Sequence, residues 1–246
     1  LLKLPIPSSV KYIYMNIGTS YDPDPACGVE RERVTRHQKW IRHNPEVFCI
    51  YVEPLFRVHK ALRERGYANN MTMLILAAVS NTTGIAPFHE YAGTYGAASS
   101  LSPVLESVVE REKASGRPGP YVQGAKGISA VPVITLKMIL DSIPDNIRIL
   151  QLKTDMQGYD FTALSGAGES LRRIEEIYNE CQGPNEDDIY HVDNRYTTWK
   201  PLMNSLGFVT GCNKNHHDCM WFHEKPVNRV KDLPHITERC RFGRKW

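Results

Sequence analysis

The sequence of 246 residues lacks any apolar run that approaches the roughly 20 residues needed to cross a membrane. It also lacks a strong excess of one charge, because 30 Lys and Arg residues against 27 Asp and Glu residues leave a formal net charge of +3. So small a charge gives no basic face strong enough to indicate nucleic-acid binding. We therefore expect neither a membrane nor a nucleic acid among the partners of this protein.

A disulfide framework is also missing from the sequence pattern, because the six cysteines show no regular spacing. Cys49 lies in an apolar run, where a thiol behaves as a small hydrophobic side chain. The pattern predicts a reducing compartment, and we expect a cytoplasmic protein. The chain begins with Leu1 rather than methionine, and residues 1–7 are too short and too rich in proline for a signal peptide. We expect a domain that belongs to a larger, multidomain protein.

Short apolar runs alternate with helical patterns over most of the chain, which is typical of βαβ units. The predicted strands are residues 11–17, 47–52, 71–79, 147–153, 174–178, 208–212 and 219–222. The predicted helices are residues 29–43, 54–65, 103–113, 161–170 and 197–205. Only a polar turn separates the last two strands, as in an antiparallel hairpin. The prediction is a Rossmann-like α/β fold with a seven-stranded, mostly parallel sheet and a C-terminal antiparallel hairpin.

The segment 84–130 interrupts this alternation with a polar and aromatic stretch, a serine-rich turn and a loop rich in Gly and Pro. Long irregular segments inside a compact domain are often lids or binding loops, but a surface excursion explains the pattern equally well. We predict one domain over residues 1–225, in which 84–130 is a loop-rich insertion and candidate lid. A basic tail follows over residues 226–246.

The first candidate ligand site follows the first predicted strand, at Asn16, Gly18, Thr19 and Ser20. Glycine allows a backbone to approach a ligand closely, and open α/β sheets bind ligands at the carboxyl ends of their strands. Glu53 ends the next strand, where a carboxylate can accept hydrogen bonds from both ribose hydroxyls of an adenosine. An acid that only stabilises the start of the following helix would occupy the same position, so both interpretations stay open.

Two more carboxylates, Asp155 and Glu180, end the fourth and fifth predicted strands. Such a pair can act as a general base and its orienting partner, or can hold a divalent cation such as Mg²⁺ or Mn²⁺. We favour the version without a metal, because only two acids are visible and Lys153 would repel a cation. His191 is a further catalytic candidate, as is His217.

The turn 212–219 contains Cys, His and Asp, which are the residue types of a zinc site. The candidate ligands are crowded within this one turn, and no second Cys/His pair supplies the usual spacing. Zinc remains an alternative, but we predict a polar hairpin turn near the mouth of the site and no metal ligands in the chain.

Several motifs follow one another along the chain: Gly18, residues 52–54 (Val-Glu-Pro), 77–80, 133–136, the Leu-Lys-Thr-Asp-Met-Gln-Gly-Tyr-Asp run of 152–160, residues 164–167 and Glu180. In this order they resemble the motifs of FkbM-type methyltransferases over about residues 12–222. The resemblance implies a class I methyltransferase fold that uses S-adenosyl-L-methionine (SAM). It also implies methylation of a hydroxyl group, most often of a sugar, a glycan or a natural product.

The same resemblance implies roles for individual residues. Gly18 and Glu53 would hold the methionyl and ribose parts of SAM, and Ala78 and Val79 would border the adenine. Asp155 would lie beside the methionyl group. The acceptor would be a hydroxyl-bearing molecule, with a saccharide as the first expectation.

The sequence departs from the family pattern in the first motif. Asn16 stands where an Asp is usual, and Thr19-Ser20 replaces a small residue followed by Asn. Asp22 is a candidate to replace the missing acid. These departures favour, as one alternative, a module that binds SAM without turnover. A second alternative is an NAD-dependent oxidoreductase on a related fold, although the dinucleotide fingerprint G-x-G-x-x-G is absent from the sequence.

Overall fold

The computed structural model describes residues 2–21, 27–28, 36–91, 98–116, 119–123, 125–183, 188–210 and 218–223. Its strands are β1 (Tyr12–Ile17), β2 (Val47–Val52), β3 (Thr72–Ile75), β4 (Ala78–Ser80), β5 (Gly84–Tyr91), β6 (Ala125–Thr135), β7 (Arg148–Thr154), β8 (Ile174–Glu180), β9 (Phe208–Thr210) and β10 (Asp218–His223). Its α-helices are α1 (Arg36–His43), α2 (Phe56–Glu64), α3 (Glu106–Ala114), α4 (Leu136–Asp141), α5 (Asp160–Ser165) and α6 (Tyr196–Ser205), and a 3₁₀ helix covers Gly168–Arg173.

The larger sheet has seven strands in the order β3-β2-β1-β7-β8-β10-β9. The first five run parallel, and β10 is antiparallel to both of its neighbours. The predicted α/β fold, with its mostly parallel sheet and terminal antiparallel strands, is therefore confirmed. The chain moves outward from β1 to β3 and then returns to the other side of β1 as β7. Such a reversal opens a crevice at the carboxyl ends of the strands, where α/β folds bind their ligands.

The central strands are apolar almost throughout because both faces of the sheet are covered. Five of the six residues of β1 and all six of β2 are buried. Ile13 and Ile50 pack into the core on one face, whereas Tyr14 and Cys49 pack into a second core on the other. Because both faces fix the register, the ends of β1, β2 and β7 lie side by side.

The prediction of one strand over 71–79 was wrong. Two short strands, β3 and β4, occupy this run, and they belong to different sheets. β4 joins β5 and β6 in a three-stranded sheet of order β4-β6-β5. The apolar run did not reveal the break because both strands are largely buried and no Gly, Pro or polar residue separates them.

The segment 84–130 is more regular than expected. β5 pairs along its whole length with β6 in an antiparallel ladder, and α3 agrees closely with the predicted helix. Pro87 and Pro132 lie within these strands, and proline in a sequence argues against a strand. Pro87 lies in β5, an edge strand of the smaller sheet, where a missing N–H is tolerated. Pro132 lies in β6 just before the residues that pair with β4. The lid role and the domain boundaries remain predictions.

Two disulfides correct the expectation of unpaired thiols. Cys27 pairs with Cys49 and Cys181 pairs with Cys219, at Cα–Cα distances of 6.0 and 5.7 Å. Both distances lie within the usual range for a disulfide. The spacing of the cysteines did not predict these pairs, because tertiary contacts bring the partners together. Cys181 follows β8 and Cys219 lies in its neighbour β10, whereas Cys27 lies in a turn and pairs with Cys49 of β2. No helix in the described ranges is long and apolar enough to cross a membrane.

Candidate active site

A cavity lies at the carboxyl ends of β1, β2, β4 and β7, where the topology places the ligand crevice. It encloses about 310 Å³, including the space at its open mouth. Its lining consists of Ile17, Gly18, Pro54, Ala78, Val79, Phe88, Ser99, Leu101, Met156 and Tyr159. The lining is mainly apolar with few polar groups, as is usual for sites that bind small molecules.

Gly18 joins two strand ends at the edge of this cavity. Its φ of +73° is in the left-handed region, and a Cβ atom at this position would overlap the backbone carbonyl of Asp155. The Gly18 N–H donates to the Val52 carbonyl oxygen at 3.0 Å. The glycine predicted from the first motif is therefore required for the close approach of β1 and β7. Its contact with a ligand remains a prediction.

Glu53 connects the first motif to the start of α2. Its carboxylate accepts hydrogen bonds from the Ser20 N–H at 3.0 Å and from the Leu55 N–H at 2.9 Å. Glu53 is only 5% exposed, and this burial raises the pKa of its carboxyl group to about 7 although the two hydrogen bonds lower it. The bond to Leu55 supports the helix-start interpretation. Each oxygen keeps a lone pair, so the carboxylate can still accept a ribose hydroxyl.

The remaining candidates at the first motif are Asn16, Thr19 and Asp22, and the structure describes the first two. Asn16 is fully buried inside β1. Thr19 is also buried, and its hydroxyl oxygen has no hydrogen-bond partner among the described residues. A buried hydroxyl without a partner is costly, but Thr19 is not among the residues that line the cavity. Asp22, the candidate replacement acid, lies outside the described residues.

One wall of the cavity comes from the smaller sheet. Ala78 and Val79 line it from β4, at the positions that the resemblance implies for adenine. Phe88 from β5, together with Ser99 and Leu101, lines the same cavity. Sequence reasoning missed these three residues because an isolated Phe, Ser or Leu has no motif that distinguishes a cavity wall from core.

Asp155 follows β7 and is held close to the end of β1. Its N–H donates to the Ile17 carbonyl oxygen at 3.0 Å, and its Oδ1 accepts a hydrogen bond from Gln157 Nε2 at 2.7 Å. The Lys153 Nζ lies 3.9 Å from the Asp155 Oδ2. Because 41% of its side chain is exposed, the carboxylate is both oriented and accessible.

The second carboxylate, Glu180, is the last residue of the neighbouring strand β8, as predicted. Thr154 pairs with Asn179 between β7 and β8, so Asp155 and Glu180 come directly after paired residues at the same edge of the sheet. None of Asp155, Glu180 and His191 lines the cavity itself, but Asp155 directly precedes the lining residue Met156, and His191 is exposed. His217 lies outside the described residues.

The zinc alternative loses one ligand in the structure. Cys219 forms a disulfide with Cys181 and is therefore not available as a thiolate. Residues 211–217 of the same turn lie outside the described part of the chain. Within that part, no group of three or more His, Cys, Asp or Glu side chains is arranged to hold a metal ion.

Sequence reasoning also missed the residues that support the Asp155 turn. Asp160, fully buried at the start of α5, accepts a hydrogen bond from the Met156 N–H at 3.1 Å. Burial raises the pKa of Asp160 to about 7. Tyr190 donates a hydrogen bond to the Gln157 Oε1 at 2.9 Å. Asp160 and Gln157 stand in the recognised 152–160 motif, whereas nothing in the sequence marks Tyr190.

Comparison with known protein families gives a match over most of the chain. The family model for the methyltransferase FkbM domain matches residues 25–209. Neither the curated proteins nor the solved structures include a significant match. The matched region contains Glu53, the wall of the cavity, Asp155 and Glu180, and its fold is the one described above. The chain therefore belongs to the FkbM methyltransferase family.

Proposed function

We propose that this protein is a SAM-dependent O-methyltransferase that modifies a hydroxyl group of a saccharide. The observation that carries the proposal is the position of Asp155. Its accessible carboxylate lies where the ends of β1 and β7 meet, at the edge of a cavity with an apolar wall. Such a site has one part suited to a nucleoside and another suited to proton transfer.

The residues of the cavity fit SAM by their chemistry. Ala78, Val79 and Phe88 offer apolar surface for the adenine, and Glu53 offers carboxylate lone pairs for the ribose hydroxyls. When bound, SAM supplies a methyl group activated by its sulfonium.

Asp155 would act as the general base for the acceptor. A sugar hydroxyl is a weak nucleophile at neutral pH, and a positioned carboxylate can accept its proton as the oxygen attacks. Gln157 donates to Oδ1 of Asp155 and Lys153 lies 3.9 Å from Oδ2, so the carboxylate keeps lone pairs that can accept the acceptor hydroxyl. Glu180, at the end of the neighbouring strand, would orient the acceptor or the base. Such a base typically contributes about 10²–10⁴-fold to the rate.

The test is transfer of labelled methyl from SAM to a panel of saccharides, with and without Asp155→Asn. We expect transfer by the parent protein, and a large loss in the variant while its SAM affinity is retained. SAM binding without transfer to any hydroxyl acceptor would instead support the non-catalytic alternative. Calorimetric titration that gave tight NAD binding and no SAM binding would favour the oxidoreductase.

For the compartment, we propose an oxidising environment in place of the expected cytoplasm. Both disulfides join buried cysteines, and disulfides persist mainly where thiols are not kept reduced. Protein from its native source should resist alkylation at Cys27, Cys49, Cys181 and Cys219 until a reductant is added, as mass spectrometry would show. Full alkylation without a reductant would instead support the original expectation of a reducing compartment.

A further inference from the structure

We propose that Tyr190 and Gln157 are positioning residues that orient the carboxylate of Asp155, with Tyr121 as the outer end of the same chain of hydrogen bonds. The proposal rests on the proposed function, in which Asp155 is the general base. The first hydrogen bond joins the Tyr121 and Tyr190 hydroxyls at 3.0 Å, and the second joins the Tyr190 hydroxyl to Gln157 Oε1 at 2.9 Å. In the last bond, Gln157 Nε2 donates to Asp155 Oδ1 at 2.7 Å.

The chemistry of the groups fixes the direction of every bond. An ionised carboxylate only accepts, so Gln157 must present its NH₂ group to Asp155 and its carbonyl oxygen to Tyr190. The Tyr190 hydroxyl has two acceptors within reach, and it donates its single hydrogen to Gln157 Oε1 at 2.9 Å, which is closer than the Ala98 carbonyl oxygen at 3.3 Å. Tyr121 must then donate to the Tyr190 oxygen. All three donors point toward Asp155, and hydrogen bonds in such a chain polarise one another in the same sense.

Burial keeps the two phenols protonated. Tyr190 is only 2% exposed, and desolvation raises its pKa above the ordinary value of 10.0. Burial also raises the pKa of Tyr121, although the hydrogen bond to Tyr190 lowers it. Both hydroxyls therefore remain donors over the whole pH range in which Asp155 can act as a base.

The backbone around Gln157 is adapted to this arrangement. Gln157 has a φ of +54° and Gly158 a φ of +86°, so two successive residues are in the left-handed region. A Cβ atom on Gly158 would overlap the ring of Tyr190, which therefore packs directly against the turn. A left-handed conformation is unfavourable for a residue with a side chain, and such strain is common where a side chain must be aimed.

A separate contact holds the backbone of the turn. The buried Ser100 hydroxyl donates to the Gln157 carbonyl oxygen at 2.8 Å and accepts from the Ser102 N–H at 3.1 Å. The turn is thus anchored independently of the Tyr190 hydroxyl. Removing that hydroxyl should release the side chain of Gln157 and leave the fold in place.

The test compares Tyr190→Phe with Tyr91→Phe. We expect Tyr190→Phe to lower kcat by about 10-fold or more, because small misplacements of a reacting group are costly. The KM for SAM should stay within about twofold, because Tyr190 does not line the cavity. Tyr91 is a matched control in the same aromatic cluster, since it is also buried and its hydroxyl accepts from the Val104 N–H at 3.0 Å. Tyr91→Phe should keep the parent kcat.

A second variant covers the case in which Tyr190→Phe fails to fold. Gln157→Glu keeps the acceptor for Tyr190 and the size of the side chain, but an ionised Glu cannot donate to Asp155. We expect its kcat to fall at least as far as that of Tyr190→Phe. A Gln157→Glu protein with the parent kcat would overturn the positioning role.

A double-mutant cycle separates positioning from general support of the structure. If Tyr190 acts through Asp155, Tyr190→Phe should have no further effect on kcat in the Asp155→Asn background. Losses that multiply would overturn the proposal. A large loss in Asp155→Asn beside an unchanged kcat in Tyr190→Phe would overturn only the positioning role. Full activity in Asp155→Asn would overturn the assignment of the base, and with it the proposed mechanism.

Discussion

Gly18 and Asp155 meet backbone against backbone, so closely that no side chain fits at position 18 without displacing the Asp155 carbonyl group. This contact joins the first motif of the chain to the motif that carries the proposed base. It makes the position of Asp155 depend on the residue at the end of β1.

Replacing Gly18 by alanine should therefore cost more stability than its backbone angle alone explains. Gly66→Ala is the matched control, because Gly66 has a φ of +84° and a Cβ atom added there would have no neighbouring atom within 4 Å. We expect the control to lose about 1–2 kcal/mol from left-handed strain. Gly18→Ala should lose clearly more, as measured by denaturant unfolding. Equal losses in the two variants would mean that the contact with Asp155 relaxes without cost.

Replacing Glu53 by alanine should weaken SAM binding by about 1.5–3 kcal/mol, the range for hydrogen bonds to a charged group. Isothermal titration measures the change directly. Glu64→Ala serves as the control, because Glu64 is an exposed acid at the end of α2. Unchanged affinity in a folded Glu53→Ala protein would leave Glu53 with only its structural bonds to Ser20 and Leu55.

The raised pKa of Glu53 predicts a pH dependence of stability. Its carboxyl group has an ordinary pKa of 4.5, but burial raises the pKa to about 7 in the folded protein. Between these values the folded state binds more protons than the unfolded state, so the free energy of unfolding falls as the pH rises. In Glu53→Gln this decline should be smaller by about 1–3 kcal/mol.

Unfolding curves measured without SAM from pH 4.5 to pH 7 test this expectation. The free energy of unfolding of Glu64→Gln should change with pH as that of the parent does, because the side chain of Glu64 is 65% exposed. If the free energy of unfolding of Glu53→Gln falls with pH as steeply as that of the parent, the decline does not come from Glu53.

Chelation tests the choice between a metal and a simple base. We expect EDTA to leave methyl transfer unchanged, because the Lys153 ammonium, 3.9 Å from the Asp155 Oδ2, opposes a cation there. Asp155→Asn should still lower the rate by about 10²–10⁴-fold. Activity that disappears with EDTA and returns with Mg²⁺ or Mn²⁺ would show that Asp155 and Glu180 share a cation instead.

The fold was largely predictable because buried parallel strands leave continuous apolar runs. The two central strands and the terminal hairpin follow from such runs, and their predicted and observed limits agree closely. The division at residues 76–77 was not predictable, because the apolar run continues across a change of sheet. Pro87 concealed β5, because proline argues against a strand in a sequence although the edge strand β5 tolerates it.

The candidate site was predictable only where a residue's chemistry is tied to a strand end. Gly18 met that condition and lines the cavity, whereas Ala78, which also lines it, was named only through the family resemblance. Phe88 and Tyr190 did not meet it, because their roles arise from tertiary contacts between segments far apart in sequence. The same reason explains the disulfides, whose partners come together only through the tertiary fold.

The segment 84–130 constrains any attempt to redesign this enzyme. It supplies Phe88 and Leu101 to the cavity wall, and it supplies Ser100 and Tyr121 to the support of the Asp155 turn. Loop grafting or deletion in this segment would therefore disturb both the cavity in which we propose that SAM binds and the turn that carries the proposed base. Libraries aimed at new acceptors should keep it intact and vary exposed positions elsewhere, such as His191.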